Sequence, residues 1–68
     1  MPASWQQVRA EALRRIRAGL WAPGARIPDE ADLAAELGCT RVTVNRALRD
    51  LAEAGLLERR RKGGTRLV

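Results

Sequence analysis

The side chains with the clearest chemistry lie in one predicted helix over residues 41–54. On a helical wheel, at about 100° per residue, its outer side carries Val42, Thr43, Asn45, Arg46 and Arg49. Arg41 lies in the first turn, where a cation is unfavourable because it opposes the helix dipole. A cation placed against this preference indicates a functional role. Arginine pairs with guanine, asparagine pairs with adenine, and a small apolar group packs on the thymine methyl. The pattern predicts a helix that enters the major groove of double-stranded DNA with its first turn leading.

The opposite side of that segment predicts how the helix is held in the domain. It is an apolar stripe at helical spacing, made of Val44, Ala47, Leu48 and Leu51. Thr40 is the predicted N-cap, and Gly55 is the predicted stop. Gly38 and Cys39 form a tight turn before the cap, and we interpret Cys39 as a small buried apolar residue. The turn between two short helices predicts a helix-turn-helix.

Two predicted helices precede that turn. Ser4 and Gln7 form a capping box that starts the first helix, and Gly19 is its predicted C-cap. The apolar face of this helix contains Trp5, Val8, Ala12, Leu13 and Ile16. Asp29 is the predicted N-cap of the second helix, whose inward residues are Leu33, Ala34 and Leu37. Residues 20–28 form a loop, and the residues expected to anchor it to the core are Trp21 and Ile27.

The last part of the chain predicts a β-hairpin. Residues 56–60 and 65–68 are the predicted strands, and Gly63 and Gly64 are the predicted turn. Three helices and a two-stranded wing predict a mainly α fold, a winged helix-turn-helix, as one domain over residues 1–68. The residues expected to contact DNA at the minor groove are Arg61, Lys62, Gly63, Gly64 and Arg66. The alternative is a solvated hairpin on which charge prevents edge-to-edge pairing.

Several residues of the predicted DNA face have a second interpretation. Thr40 caps the helix, and its hydroxyl can also reach a phosphate. Thr43 either supports that cap or contacts DNA. Arg46 and Arg49 are either DNA contacts or solvated cations, and Arg49 can instead pair with Glu53 one turn further on.

Composition narrows the class of function. The chain has 68 residues, with 13 Lys and Arg against 8 Asp and Glu, and a net charge of +5. This balance favours a polyanionic partner, nucleic acid before membrane. Twelve of the 13 cations are arginine, and a GC-rich genome is the alternative source of that excess. One cysteine and no histidine exclude an intrachain disulfide, a Cys/His zinc site and a histidine general base.

We therefore expect no enzyme activity, no cofactor and no metal, and we interpret the carboxylates within residues 29–32 as helix-start chemistry. No apolar run is long enough to span a bilayer. The N-terminus lacks the continuous apolar core of a signal peptide. The expected location is the cytoplasm, without a membrane partner.

Two sets of motif residues extend through most of the chain. The first set is Ile16, Gly19, Pro23, Gly24, Ile27, Pro28 and Glu30. The second set is Leu33, Ala34, Leu37, Gly38, Thr40, Arg41, Thr43, Val44, Ala47, Leu48 and Leu51, followed by Gly55, Leu56 and Leu57. Together they resemble the N-terminal domain of the gluconate-repressor (GntR) family of bacterial transcription regulators. Residues 42–48 are most similar to its histidine-utilisation repressor subfamily.

The resemblance implies a repressor that binds a palindromic operator in double-stranded DNA as a homodimer. It implies that Arg41 reads a base, and the other positions carried over are Thr40, Thr43, Arg46 and a wing glycine, Gly63 or Gly64. Asn45 stands where other members carry arginine, which implies a different base preference. The family has a C-terminal domain that binds a small-molecule effector, so we expect a longer regulator whose effector site lies outside these residues. A winged helix used for protein interaction or RNA binding is the alternative.

Overall fold

The computed structural model describes residues 3–60 and 64–68, and in these residues it contains three helices and two strands. In chain order the elements are α1 (Trp5–Arg17), α2 (Glu30–Leu37), α3 (Arg41–Glu53), β1 (Leu57–Arg60) and β2 (Gly64–Leu67). This order confirms the predicted winged helix-turn-helix with its mainly α composition. Among the described residues, no helix combines the length and the apolar character needed to cross a bilayer.

The helix starts follow the capping chemistry of the sequence. Ser4 Oγ accepts from the Gln7 N–H at 3.2 Å, and Gln7 Oε1 accepts from the Ser4 N–H at 2.8 Å. This pair confirms the predicted capping box of α1. Thr40 Oγ1 accepts from the Thr43 N–H at 3.3 Å and caps α3 as predicted. The turn between α2 and α3 contains Gly38 with a φ of 69°, a left-handed conformation that glycine adopts without a steric penalty.

Of the other predicted caps, the position of Asp29 is confirmed and Gly19 needs correction. Asp29 is the N-cap residue of α2, but its side chain makes no capping hydrogen bond. Its carboxylate instead accepts from Arg26 Nη2 at 3.0 Å, so the local ion pair competes with the helix amides. The C-cap of α1 is Ala18 rather than Gly19. Gly19 follows with a φ of 75°, because the left-handed position comes one residue after the cap.

The hairpin, here called the wing, is antiparallel, and the ends of its strands lie within one residue of the prediction. Leu57 pairs with Leu67 next to the core, and Arg60 pairs with Gly64. β1 begins at Leu57 because the preceding N–H donates to α3. Gly64, a predicted turn residue with a φ of 69°, is the first residue of β2 and pairs with β1. The prediction that it belongs to the turn is therefore corrected. Gly63, the other predicted turn residue, lies outside the described residues.

The loop between α1 and α2 also pairs with the wing, which the sequence did not indicate. The Ile27 N–H donates to the Thr65 carbonyl at 2.9 Å. Arg26 and Arg66 form an antiparallel bridge beside that bond. The wing is therefore hydrogen-bonded along both edges of β2, to β1 on one side and to the loop on the other.

α3 is the central element and packs against α1, α2 and β1. Its predicted apolar stripe is the most buried part of the domain, at no more than 1% exposure for Val44, Ala47, Leu48 and Leu51. The predicted core residues that are also buried are Val8, Ala12, Ile27, Leu33 and Ala34. The predicted apolar residues that pack on this core while partly exposed are Trp5, Leu13, Ile16, Trp21, Leu37 and Cys39. Because one side of α3 is fully packed, its other side must face outward.

Candidate nucleic-acid interface

The outward side of α3 is accessible along its length. Here we call it the reading face, and define it as Arg41, Val42, Thr43, Asn45, Arg46 and Arg49. Val42 stands at its centre with 79% of its surface exposed. The three arginines are exposed, whereas Thr43 and Asn45 are half-buried. The structure therefore gathers the predicted helix residues on one surface of the domain.

The arginines of the reading face differ from most other arginines of the domain in their partners. Within residues 3–60 and 64–68, carboxylates form ion pairs with Arg9, Arg14, Arg15, Arg26, Arg59 and Arg60. None of these pairs includes Arg41, Arg46 or Arg49. In particular, the alternative pairing of Arg49 with Glu53 does not occur in the described structure. Because no carboxylate of the described residues forms an ion pair with these three arginines, their positive charge remains available to an anionic partner.

A carboxylate limits the reading face on the side of α2 and the wing. Glu30 Oε1 accepts from Asn45 Nδ2 at 3.0 Å and from the Arg59 guanidinium. The side chain of Glu30 is 24% exposed and that of Arg59 is 30% exposed, so water screens this pair only in part. Sequence reasoning assigned Glu30 to the helix start and missed this junction. One amide hydrogen of Asn45, the predicted adenine reader, is therefore occupied in the domain.

An open cleft of 360 Å³ lies where the first turns of α2 and α3 approach the wing. Its cationic lining residues are Arg41, Arg59 and Arg60. Arg59 is paired with Glu30, and Arg60 donates to Glu58 at 2.7 Å. This hydrogen bond to the Glu58 carboxylate raises the pKa of the Arg60 guanidinium. Arg41 enters the cleft without an ion pair in the described chain, so its charge is the most available of the three.

The hydroxyl groups at the start of α3 bond to each other. Thr40 Oγ1 and Thr43 Oγ1 are 3.1 Å apart, in addition to the capping bond from the Thr43 N–H. This arrangement confirms Thr40 as a cap and shows that Thr43 supports the cap. Contact of either hydroxyl with DNA stays a prediction.

On its other side the reading face is limited by α1. The guanidinium of Arg46 lies over the ring of Trp5, with its central carbon 4.6 Å from the ring centroid. Trp5 is half-buried and packs on the core, which confirms its predicted packing role. The stacking with Arg46 was missed because no spacing rule relates two residues on different helices.

The predicted wing contacts are only partly visible. Arg66 is half-buried, and its Nη1 donates to the Gly24 carbonyl at 3.3 Å, so its side chain bends back onto the loop. A Cβ at Gly64 would lie 2.5 Å from Nε of Arg26, a side chain that can move aside, so it is the φ of 69° that favours glycine at this position. Arg61, Lys62 and Gly63 lie outside the described residues. The structure therefore does not bring Arg66 to the reading face, and its contact with DNA stays a prediction.

Comparison with known families agrees with this architecture. The family described as bacterial regulatory proteins, gntR family, matches residues 5–67. The chain belongs to the GntR family. This confirms the resemblance that the sequence motifs indicated over most of the chain.

This GntR domain is similar in sequence to individual repressors and in structure to a solved DNA-binding domain. It is 44% identical over 61 residues to the histidine utilization repressor of Klebsiella aerogenes, which covers 90% of this chain and 25% of that protein. The repressor of the same name from Pseudomonas aeruginosa is 41% identical over 61 residues, covering 90% and 24%. The chain thus spans about a quarter of the length of these curated relatives. The crystal structure of AraR(DBD) in complex with operator ORE1 matches it with a TM-score of 0.92 and 34% identity, over 100% of this chain and 83% of that one.

Proposed function

We propose that this GntR domain binds double-stranded DNA with sequence preference, as the N-terminal part of a longer transcriptional repressor. The observation that carries the proposal is the reading face: exposed arginines without carboxylate partners, on a helix whose opposite side is fully packed. A rigid helix of this kind fits the major groove, while the wing approaches the adjacent minor groove. The match to a domain in complex with an operator supports DNA as the partner.

The proposed contacts divide by the chemistry of each side chain. Arg41, in the first turn, pairs with a guanine through two hydrogen bonds, and Val42 packs on a thymine methyl. The hydroxyls of Thr40 and Thr43 contact phosphates, which fixes the register without carrying sequence information. Asn45 reads a base with the amide atoms that Glu30 leaves free, and Arg49 supports the contact further along α3. In the wing, we expect Arg61, Lys62, Gly63, Gly64 and Arg66 at the minor groove.

The assembly follows from the family and from the length of the relatives. Two copies of the domain on a palindromic operator place their α3 helices about 34 Å apart, one turn of DNA. Dimerisation and recognition of a small-molecule effector belong to the portion of the regulator that this chain does not match in its relatives. The protein then acts as a DNA-binding regulator in the cytoplasm and not as an enzyme.

Selection of duplexes from a random-sequence pool tests the proposal and supplies the preferred site. The key variant is Arg41→Ala. It should weaken binding to the selected duplex by about 1–3 kcal/mol, roughly 5- to 150-fold, and relax preference at one base pair. Titrations of the selected duplex and a shuffled duplex at several salt concentrations measure both effects.

Arg17→Ala is the matched control, because it removes the same charge elsewhere. Trp5 of α1 contacts Arg46 of α3, and Arg9, one turn later in α1, contacts Asp50, one turn later in α3. The two helices therefore run in the same direction, and Arg17 at the end of α1 lies far from the first turns of α3. This variant should bind the selected duplex nearly as well as the parent chain. Equal weakening of the selected and shuffled duplexes by Arg41→Ala would contradict base reading by Arg41. Absence of salt-dependent duplex binding by the parent chain would overturn the proposal.

A further inference from the structure

Two contacts join α1 to one edge of the reading face. The Arg46 guanidinium stacks on Trp5, and Arg9 pairs with Asp50. Trp5 and Arg9 are one helical turn apart, as are Arg46 and Asp50, so the contacts advance together along both helices. Asp50 pairs with Arg9, and among the described residues no ion pair joins it to Arg46. The position of Arg46 is therefore set by the aromatic ring, and its charge stays available.

We infer that Trp5 is a positioning residue, which holds Arg46 at the α1 edge of α3 so that Arg46 contacts a phosphate and not a base. The inference rests on the proposed DNA binding. Arg46 and Asn45 lie on opposite edges of the reading face, toward α1 and toward Glu30 of α2, with Val42 between them. When a helix lies in the major groove, its centre faces the bases. A long side chain at its edge, such as that of Arg46, reaches the phosphate backbone, whereas the short side chain of Asn45 stays beside the bases.

The stacked geometry suits a phosphate contact. A guanidinium held over an aromatic ring can still donate its N–H groups to a further partner, and arginine combines such contacts with recognition of phosphate. The stack also restricts the long side chain before DNA arrives, so less side-chain entropy is lost on binding. Arg46 lines an open groove of 220 Å³ whose other lining residues are Trp5, Arg49, Asp50 and Glu53. Two arginines and two carboxylates therefore share it, and the contact of Asp50 with Arg9 offsets part of the negative charge.

The experiment is a double-mutant cycle between the ring and the guanidinium. Duplex affinity is measured for the parent chain, Trp5→Leu, Arg46→Ala and the double variant, over a range of salt concentrations, on a selected and a shuffled duplex. Arg46→Ala should weaken both duplexes by a similar factor and reduce the salt slope by about 1. Trp5→Leu should weaken both by about two- to fivefold when Arg46 is present and have no effect in the Arg46→Ala background.

Trp5→Phe controls for packing, since it keeps an aromatic ring against the core and should retain part of the affinity. Thermal unfolding of each variant establishes the folded fraction, by which the affinities are corrected. An equal effect of Trp5→Leu with and without Arg46 would overturn the inference, because the ring would then act through stability alone. A change of base preference in Arg46→Ala at an unchanged salt slope would also overturn it. Absence of salt-dependent duplex binding by the parent chain would contradict the proposed function, and with it this inference.

Discussion

Two valines of α3 illustrate the difference between the two sides of this helix. Val44 is completely buried, whereas Val42, two residues earlier, is 79% exposed. The side chains are identical, so the difference comes only from their angular position on the helix. The buried side contributes to the stability of the domain, and the exposed side is available to a partner. A substitution should therefore change either stability or recognition, according to the side on which it falls.

The largest expected effect is on stability, and the two valines provide a matched pair. Val44→Ala should lower the free energy of unfolding by about 2–3 kcal/mol, because it removes buried methyl groups and leaves a cavity. A domain of this size has only about 3–5 kcal/mol in total, so a substantial unfolded fraction should appear. Val42→Ala should change the free energy of unfolding by less than about 0.5 kcal/mol. Urea denaturation followed by circular dichroism measures both values.

The same pair should separate in the binding assay. Folded Val42→Ala should lose preference at one thymine position of the selected duplex, with its salt dependence unchanged. If both variants lowered stability equally, the two sides of α3 would not be independent. If Val42→Ala left base preference intact at every position, Val42 would be an isolated exposed residue without a role in reading.

The buried side of α3 was predictable from the sequence, because helical spacing alone places Val44, Leu48 and Leu51 on one stripe. The caps at Ser4 and Thr40 were equally predictable, because their partners lie three residues away in the chain. Local patterns of this kind, together with the family motifs, were sufficient for the fold.

The edges of the reading face were not predictable in the same way. The helical wheel places Asn45 outward, but α2 lies beside α3, and Glu30 takes one of its amide hydrogens. Arg59, from the wing, meets the same carboxylate. The stacking of Arg46 on Trp5 likewise joins residues 41 positions apart. Such contacts depend on how the elements cross, and single-sequence spacing carries no information about that.

Glu30→Gln tests whether the carboxylate at the edge belongs to stability or to recognition. The change keeps the size and an acceptor oxygen but removes the negative charge that strengthens the hydrogen bonds from Asn45 and Arg59, so stability should fall by about 1 kcal/mol. Loss of a negative charge beside the reading face should raise affinity for a shuffled duplex by a few-fold. Preference for the selected duplex should decrease, because Asn45 and Arg59 are held less firmly. Competition titrations with both duplexes measure the change.

Glu53→Gln is the control for net charge, since Glu53 lies at the end of α3 and has no ion pair among the described residues. It should leave the ratio of selected to shuffled affinity unchanged. A drop in affinity of Glu30→Gln for the selected duplex, without a gain on the shuffled one, would show that Glu30 itself contacts DNA. Glu30 would then belong to the reading face and not to its edge.

The smallest effect on stability is expected at a cluster of charged residues on α1, which we expect to influence folding but not recognition. Glu11 accepts from Arg14 at 2.8 and 2.9 Å and from Arg15 at 2.6 Å, and Arg15 also pairs with Glu36 of α2. The hydrogen bonds from Arg14 and then Arg15 lower the pKa of Glu11 from 4.5 to about 2. The bonds from Arg14 are exposed to water and the bond from Arg15 is partly buried, so water screens the cluster in part, and its effect should be modest and should weaken in high salt.

A pKa that is lower in the folded chain than in the unfolded chain means that the ionised carboxylate stabilises the fold. For Glu11 this stabilisation is fully present above pH 4.5 and is lost as the pH falls toward 2. Glu11→Gln should therefore melt at a lower temperature than the parent chain at neutral pH, and the two melting curves should converge in that acidic range. Taking the difference between the chains cancels the titration of the other carboxylates. Duplex affinity at neutral pH should be the same for both chains, because the cluster lies apart from the reading face. A difference in melting temperature that stays constant down to pH 2 would mean that Glu11 acts by packing rather than by charge.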